Sequence, residues 1–239
     1  MKHKLTTITL MGAIVFASSC KKEIINGSGS VVTEDRVVNS FTGIDLSLSG
    51  TVNYIDGEDS KVELTGQQNV LDEIITEVSD GKLIIRLPEN TQLTSYEPIV
   101  INITSRGAND FSIHGSGKII SDDTLRVTNS DFNISGSGEI HLAGLYAGDI
   151  DAKLSGSGTI TVLGGSIETM NADIHGSGTV DMLGVETKSA KIYTSGSCDT
   201  KLHVTDYLEA HISGSSSVHY MGEPEINSDI SGGGKLIRL

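Results

Sequence analysis

Apolar and polar residues alternate along short segments in the second half of the chain. Phe132 and Ile134 precede a Ser-Gly-Ser-Gly motif, and Ile140 and Leu142 follow it. Alternation with a period of two is typical of β-strands that turn one face toward a core. The pattern recurs around later copies of the motif, which predicts interior positions at Ala152, Leu154, Ile160, Val162, Ala172, Ile174, Val180, Met182, Ile192, Thr194, Thr200, Leu202, Ala210, Ile212, Val218 and Tyr220.

The motif itself is an internal repeat with seven copies, spaced by 18 to 21 residues. A period near twenty residues indicates stacked coils. We predict that each copy is a corner, because only glycine adopts a positive φ without a steric penalty. The predicted corner glycines are Gly115, Gly136, Gly156, Gly176, Gly196, Gly214 and Gly232. The corner serines are expected to stack with hydroxyl hydrogen bonds between coils, at Ser116, Ser137, Ser157, Ser177, Ser197 and Ser215.

A second break in each coil, such as Gly164-Gly165, is followed by a third short segment. A helical crossover would use most of a twenty-residue period, whereas three short strands and three turns fill it. Leucine-rich repeats share the period, but their leucine and asparagine spacing is missing. The sequence therefore predicts an all-β fold, a single-stranded parallel β-helix with three short strands per coil of roughly 20 residues.

The first half of the chain is less regular and is expected to cap one end of the coil stack. Strand-corner-strand alternation surrounds Ser49-Gly50-Thr51, which predicts an earlier coil. The dipeptide Asp80-Gly81 predicts a hairpin turn. A short helix is predicted behind Asn69 as N-cap, from apolar residues at helical spacing, Leu71, Ile74, Ile75 and Val78.

The N-terminus has the composition of an export signal. Residues 1–19 combine a basic start, an apolar stretch and small residues before Cys20. This ending resembles the lipobox of bacterial lipoproteins, although Ala17 stands where leucine is usual, and it predicts lipidation of Cys20. Residues 20–35, which include Gly27-Ser28-Gly29-Ser30, are predicted to be a flexible tether, and residues 36–239 the β-helical domain. A lipidated Cys20 would leave Cys198 without a disulfide partner.

Composition narrows the possible partners. The chain has 31 acidic against 17 basic residues, a net charge of -14. Such a charge would repel a polyanion and supplies no basic footprint, so nucleic acid is excluded as a partner. The only expected contact with a membrane is the lipid anchor.

Candidate chemistry is sparse, and we predict no catalytic residue, no cofactor and no metal site. The corners lack the nucleophile-elbow motif of serine hydrolases, and Asp181 comes one residue too late for a calcium-binding β-roll. His114 and His175 occupy the same corner position, but three coils, about 14 Å, separate them, too far to share one zinc ion.

The outward position of the second strand in successive coils reads His141, Thr161, Asp181, Lys201 and His219. Asp181 and Lys201 are expected to form a cross-coil ion pair. The predicted column contains no cluster of carboxylates of the kind that carbohydrate-cleaving β-helices use. Other carboxylates are placed near turns and interpreted as a solvated surface, namely Asp122, Asp123, Asp149 and Asp151. The only candidate platforms for sugar stacking are Tyr146, Tyr193 and Tyr207.

The chain contains, in this order, Phe41-Thr42-Gly43-Ile44, Val78-Ser79-Asp80-Gly81 and the repeated Ser-Gly-Ser-Gly corners. This order resembles that of a family of exported Bacteroidetes-type proteins. That family is described as putative auto-transporter adhesin, head GIN domain. The resemblance implies a right-handed β-helix and an envelope location, and it carries over no catalytic residue. We therefore expect a non-enzymatic outer-membrane lipoprotein, periplasmic or surface-facing, with an adhesin-like surface for a protein or glycan ligand. The alternative is a polysaccharide-binding or polysaccharide-processing β-helix of the envelope.

Overall fold

The computed structural model describes residues 22–239 and is nearly all β, with 71% strand and 2% helix. The first half contains β1 Glu23–Asn26, β2 Val31–Arg36, β3 Gly43–Ser47, β4 Thr51–Asp56, β5 Lys61–Gln67, α1 Gln68–Leu71, β6 Ile75–Ser79, β7 Lys82–Arg86, β8 Thr91–Thr94 and β9 Val100–Ser105. The second half contains β10 Asp110–Gly115, β11 Lys118–Arg126, β12 Asn129–Gly136, β13 Glu139–Gly156, β14 Thr159–Val162, β15 Gly165–Gly176, β16 Thr179–Gly196, β17 Asp199–Gly214, β18 Ser217–Met221, β19 Glu225–Ile230 and β20 Lys235–Arg238. Within residues 22–239, no helix has both the length and the apolar character that a membrane span requires.

The second half is a parallel β-solenoid of about six turns, which confirms the predicted fold class. Each strand pairs in register with the strands one coil before and one coil after it. Ile134 of β12, for example, is opposite Leu154 of β13, which is opposite Ile174 of β15. Thr194 and Ile212 continue the same row. The twenty-residue period of the sequence is therefore the length of one coil.

The predicted interior positions form the core. All of them are buried, from Ile134 at 0% exposure to Tyr220 at 8%. Burial of one aliphatic side chain of this size contributes about 1.5–3 kcal/mol, so rows of Ile, Leu and Val hold the coils together. At the first coils the core also holds an aromatic cluster, in which the rings of Phe111 and Phe132 stack with centroids 5.9 Å apart.

The seven predicted corner glycines all have positive φ, between 75° and 128°. Successive corners are joined through the backbone: the N–H of Ser157 donates to the carbonyl of Gly136 at 2.8 Å, and that of Ser177 to Gly156 at 2.8 Å. The corner serine side chains point outward and are exposed. Among the described residues, no hydroxyl of a corner serine bonds to the next one, so that expectation was wrong, and backbone groups link the corners instead.

The position of the second glycine in each Ser-Gly-Ser-Gly corner faces inward, and in one corner Cys198 occupies it without a positive φ. Its glycine counterparts have no positive φ, but a Cβ at Gly138 would lie 2.5 Å from Cγ2 of Ile113 in the preceding coil. The position therefore requires small volume. Cys198 is buried there, with its Sγ 3.5 Å from the carbonyl oxygens of Ile174 and Ser195.

The first half contains an earlier coil and a set of antiparallel strands. β3 and β4 flank the corner at Gly50 and pair in parallel with β10 and β11 of the next coil. On their other side β3 pairs with β7 and β4 with β9. Three antiparallel pairings follow: β5 pairs with β9, β2 pairs with β5, and β6 pairs with β7. Antiparallel strands thus follow the parallel ladder at this end of the stack.

Two expectations for the first half differ from the structure. The predicted helix is limited to α1, its N-cap is Gln67 and not Asn69, and Ile75 and Val78 lie in strand β6. The predicted Asp80-Gly81 turn is present, with φ of 51° and 77°, and it joins β6 to β7 as an antiparallel pair. The predicted flexible tether at 20–35 contains β1 and most of β2, which pair with β8 and β5, so ordered structure begins before residue 36. Residues 1–19 and Cys20 lie outside the described residues.

Candidate functional site

One side of the solenoid carries the most varied chemistry. It consists of the outward residues of the strands that run into the corners, five, three and one positions before each corner glycine. We call this surface the ladder face. Its three columns are Asp110, Asp131, Asp151, Asn171, Lys191, Glu209 and Asn227; Ser112, Asn133, Lys153, Asp173, Tyr193, His211 and Asp229; and His114, Ser135, Ser155, His175, Ser195, Ser213 and Ser231.

Three carboxylates are stacked in register at the start of the first column. Asp110 is opposite Asp131, and Asp131 is opposite Asp151. Partial burial raises the pKa of Asp131, and the flanking carboxylates of Asp110 and Asp151 raise it further. Lys82 forms an ion pair with Asp110, and Lys153 stands in the neighbouring column. The column therefore holds like charges at the spacing of adjacent strands, about 4.8 Å.

Aromatic rings are stacked farther along the ladder face. The Tyr193 and His211 rings are nearly parallel, with an interplanar angle of 8° and centroids 4.7 Å apart. Lys191 Nζ lies 5.4 Å from the Tyr193 ring centroid and 3.2 Å from Glu209 Oε1. The pKa of Glu209 is lowered by its hydrogen bonds with His211 and Lys191. Tyr193 remains 40% exposed, so its ring is available to a ligand.

Three adjoining concavities form one shallow groove along the ladder face. The first, of about 270 Å³, lies over Asp131, and the second, of about 290 Å³, over Asn171. These two share Asp151 and Lys153 in their walls. The third, of about 210 Å³, lies between His175 and Asp229 and shares Tyr193 with the second. The groove thus runs along the stack of coils, across several strands.

A Ser-His-Asp set occurs in the third concavity. His175 Nε2 is 2.8 Å from Asp173 Oδ1, and His175 Nδ1 is 2.6 Å from Ser195 Oγ. This connectivity is that of a nucleophile, a base and an orienting carboxylate. Acyl transfer also needs N–H donors aimed at the developing oxyanion, but Ser195 lies in a strand paired on both sides, which engages its backbone in the ladder. The His175 and Asp173 side chains are 57% and 53% exposed. The set is suited to hydrogen bonding of a polar ligand.

The predicted outward column of the second strand has the predicted register. His141, Thr161, Asp181, Lys201 and His219 follow one another across the coils. The predicted ion pair is present, with Lys201 Nζ 3.4 Å from Asp181 Oδ2. His114 and His175 are three strand steps apart, as expected. Residues 22–239 contain no group of three or more His, Cys, Asp or Glu that could hold a metal ion.

The three candidate tyrosines have different surroundings. Only Tyr193 lines the groove. Tyr146 is 41% exposed on another side, where the Arg126 guanidinium carbon lies 4.1 Å from its ring centroid. Tyr207 is half-buried in β17, opposite Ser189.

Sequence reasoning missed most of the groove because it followed the outward column of the second strand alone. Asp151 was placed near a turn, but it lies within β13 between Asp131 and Asn171. The signal was nevertheless present in the sequence. Counting back five, three and one residues from each corner glycine gives all three polar columns of the ladder face without any structure.

Comparisons with known proteins give a consistent result. A family model described as "Putative auto-transporter adhesin, head GIN domain" matches residues 40–224. The crystal structure of a putative adhesin from Bacteroides fragilis NCTC 9343 is similar with a TM-score of 0.85 and 22% identity, covering 90% of this chain and 100% of that chain. A putative lipid binding protein from Parabacteroides distasonis ATCC 8503 gives a TM-score of 0.75 at 21% identity, covering 91% and 100%. A putative adhesin from the same organism gives 0.69 at 23% identity, with the same coverage.

None of the curated proteins matches the sequence. At these identities the similar structures establish the fold alone, whereas the family model covers most of the chain. The matched range includes the predicted hairpin and the repeated corners up to Gly214. The chain therefore belongs to the family of putative auto-transporter adhesins with a head GIN domain.

Proposed function

We propose that this chain is an exported, lipid-anchored protein of the cell envelope that uses the ladder face as an adhesin-like interaction surface, without enzymatic activity. The observation that carries this proposal is the groove, in which like charges stand in register beside an exposed aromatic ring. Like charges directly opposite each other on neighbouring strands are destabilising, by about 0.2–1 kcal/mol per pair. Local features that oppose stability are expected where function requires them.

The envelope location is supported by the N-terminal signal and by the family. Residues 1–19 have the pattern of an export signal, and Cys20 stands where lipidation would occur. The family and two of the three similar structures are described as putative adhesins, which suits a surface-exposed protein. Two or three acyl chains on Cys20 would supply the membrane attachment. An outer-membrane lipoprotein whose solenoid stands off the membrane fits these features best.

The proposed absence of catalysis rests on the chemistry of the groove. Most of its polar residues form columns along the coil axis, whereas a catalytic set needs unlike groups that converge on one point. The set of Ser195, His175 and Asp173 does converge, but the backbone of Ser195 is engaged in the ladder and supplies no oxyanion donor. The second candidate function is polysaccharide binding or processing, and the exposed Tyr193 with adjacent carboxylates favours binding.

Retention of protein-coated beads on immobilised materials tests the proposal. The materials are a neutral polysaccharide, an acidic polysaccharide, mucin and collagen. A ladder-face variant combining Lys153→Glu with Tyr193→Ala is compared with a control combining Lys201→Glu with Tyr146→Ala. The control makes the same chemical changes on other sides of the solenoid, and Tyr146 is as exposed as Tyr193.

We expect the ladder-face variant to lower retention on at least one material by about tenfold, equivalent to ~1.4 kcal/mol, and the control to leave it unchanged. Equal retention of both variants on every material would refute the proposal. Equal melting temperatures of the two variants show that neither result reflects unfolding.

A further inference from the structure

The middle concavity of the groove has an aromatic wall that the fold holds in place. The Tyr193 ring is supported on one side by the parallel His211 ring of the following coil, 4.7 Å away. The concavity of about 290 Å³ is formed by the two preceding coils, on the side away from His211. Lys191 Nζ lies 5.4 Å from the centroid of the same ring. A ring held by these two neighbours is a preorganised platform, because little side-chain entropy remains to be lost on binding.

The polar groups around this platform are balanced in charge and varied in hydrogen-bonding capacity. Two carboxylates and two ammonium groups line the concavity, and together they cancel. Asn171 Nδ2 donates to Asp151 Oδ1 at 3.2 Å, which leaves the Asn171 carbonyl oxygen free to accept. The four charged residues are Asp151, Lys153, Asp173 and Lys191.

These features select among ligand classes. A cationic ligand would approach two lysines, and an anionic one would approach two carboxylates, so neither gains a net attraction from the wall. A neutral polyhydroxylated ring can place its C–H face on Tyr193. Its hydroxyl groups can donate to carboxylates and accept from ammonium groups.

We propose that the middle concavity binds a neutral sugar residue of a glycan, with Tyr193 as the stacking platform and Asp151, Lys153 and Asp173 as hydroxyl partners. This inference rests on the proposed function, in which the ladder face is the interaction surface. Because the concavities adjoin, the glycan chain runs along the coil axis and its further residues lie over Asp131 and over His175. The polar side chains that project there are the same hydroxyl-binding types.

Calorimetric titration of the purified protein with defined oligosaccharides tests this assignment. The neutral probes are cellohexaose, maltohexaose, mannohexaose and xylohexaose, and the charged probes are oligogalacturonate and chitosan hexamer. Tyr193→Ala removes the platform, Tyr193→Phe retains the ring, and Tyr146→Ala removes an equally exposed tyrosine elsewhere. Asp173→Asn removes a charged acceptor, and Asp181→Asn is its control on the outward column of the second strand.

We expect binding of at least one neutral probe, weakened about tenfold or more by Tyr193→Ala and about twofold or less by Tyr193→Phe and Tyr146→Ala. Asp173→Asn should weaken it more than Asp181→Asn does. The inference is overturned if only charged probes bind, if no probe binds, or if Tyr193→Ala and Tyr146→Ala have equal effects.

The bead assay separates failure of this inference from failure of the proposed function. If ladder-face changes abolish retention on mucin or collagen while no neutral oligosaccharide binds, the interaction surface stands and the sugar assignment falls. If ladder-face changes leave retention intact on every material, the proposed function itself falls.

Discussion

Replacement of Gly156 by alanine measures how strongly the corners hold the solenoid. The φ of Gly156 is +124°, where an L-residue is strained by about 1–3 kcal/mol. A Cβ on this residue would also lie 2.3 Å from the carbonyl oxygen of Gly136 in the preceding coil. That oxygen accepts the N–H of Ser157 at 2.8 Å. Separating the two coils to remove the clash weakens this hydrogen bond, a further loss of about 1 kcal/mol.

Gly115 provides a matched control within the same chain. Its φ is +117°, but nothing lies within 4 Å of the position that its Cβ would take. Gly115→Ala therefore carries the backbone strain without the clash. We expect a loss of about 2–4 kcal/mol for Gly156→Ala and about 1–3 kcal/mol for Gly115→Ala, with Gly156→Ala always the larger.

Thermal unfolding followed by circular dichroism compares the two variants. At about 2–4 °C per kcal/mol for a domain of this size, Gly156→Ala should lower the melting temperature by about 4–16 °C. Equal shifts for the two variants would show that contact between successive corners adds nothing to stability. An unchanged melting temperature for Gly156→Ala would refute the corner geometry itself.

Three further predictions concern charge, packing and anchoring. Because the pKa of Asp131 is raised in the folded state, stability is lost as the pH rises through that pKa. Asp131→Asn should therefore stabilise the protein at pH 7, by at most about 0.5 kcal/mol after solvent screening. In unfolding curves measured over a pH series, this advantage should disappear below the ordinary pKa of 3.8. Thr200 has a buried hydroxyl without a hydrogen-bond partner, so Thr200→Val should raise the melting temperature by about 2–4 °C, and a decrease would contradict this account. Cys20→Ala should move the protein from the membrane fraction to the soluble fraction, since each buried methylene of an acyl chain contributes about 0.8 kcal/mol; retention of the variant in membranes would indicate another anchor.

The solenoid was predictable from sequence because its two determinants are local. Period-two alternation gives the interior rows, and the glycine spacing gives the coil length, so Ile134, Leu154 and Ile174 could be placed in one row without a template. In a parallel in-register stack each coil repeats the preceding one. Once the strands and corner of one coil are predicted correctly, those of the next coil follow from the period.

The failures occurred where several local preferences compete. Leu71, Ile74 and Val78 have helical spacing, but the turn at Asp80 and Gly81 directs the segment into a hairpin. Helical spacing over so few residues offers little stability, because helix nucleation is costly, whereas the hairpin joins an existing sheet. Sequence pattern also could not show what surrounds Cys198, since its Sγ contacts the backbone carbonyl oxygen of Ile174, 24 residues earlier.

The first column of the ladder face and the outward column of the second strand differ in how charges are arranged along the coil axis. On the second strand, Asp181 is followed by Lys201, and opposite charges meet one coil apart. On the ladder face, Asp131 has a carboxylate on each side. The strand spacing is the same in both columns, and a lysine would fit at Asp131 as it does at position 201. Packing therefore does not explain why one column stacks like charges and the other pairs opposite charges. The stacked carboxylates instead keep hydrogen-bond acceptors at a regular spacing along the groove, which a ligand with repeated hydroxyl groups would use.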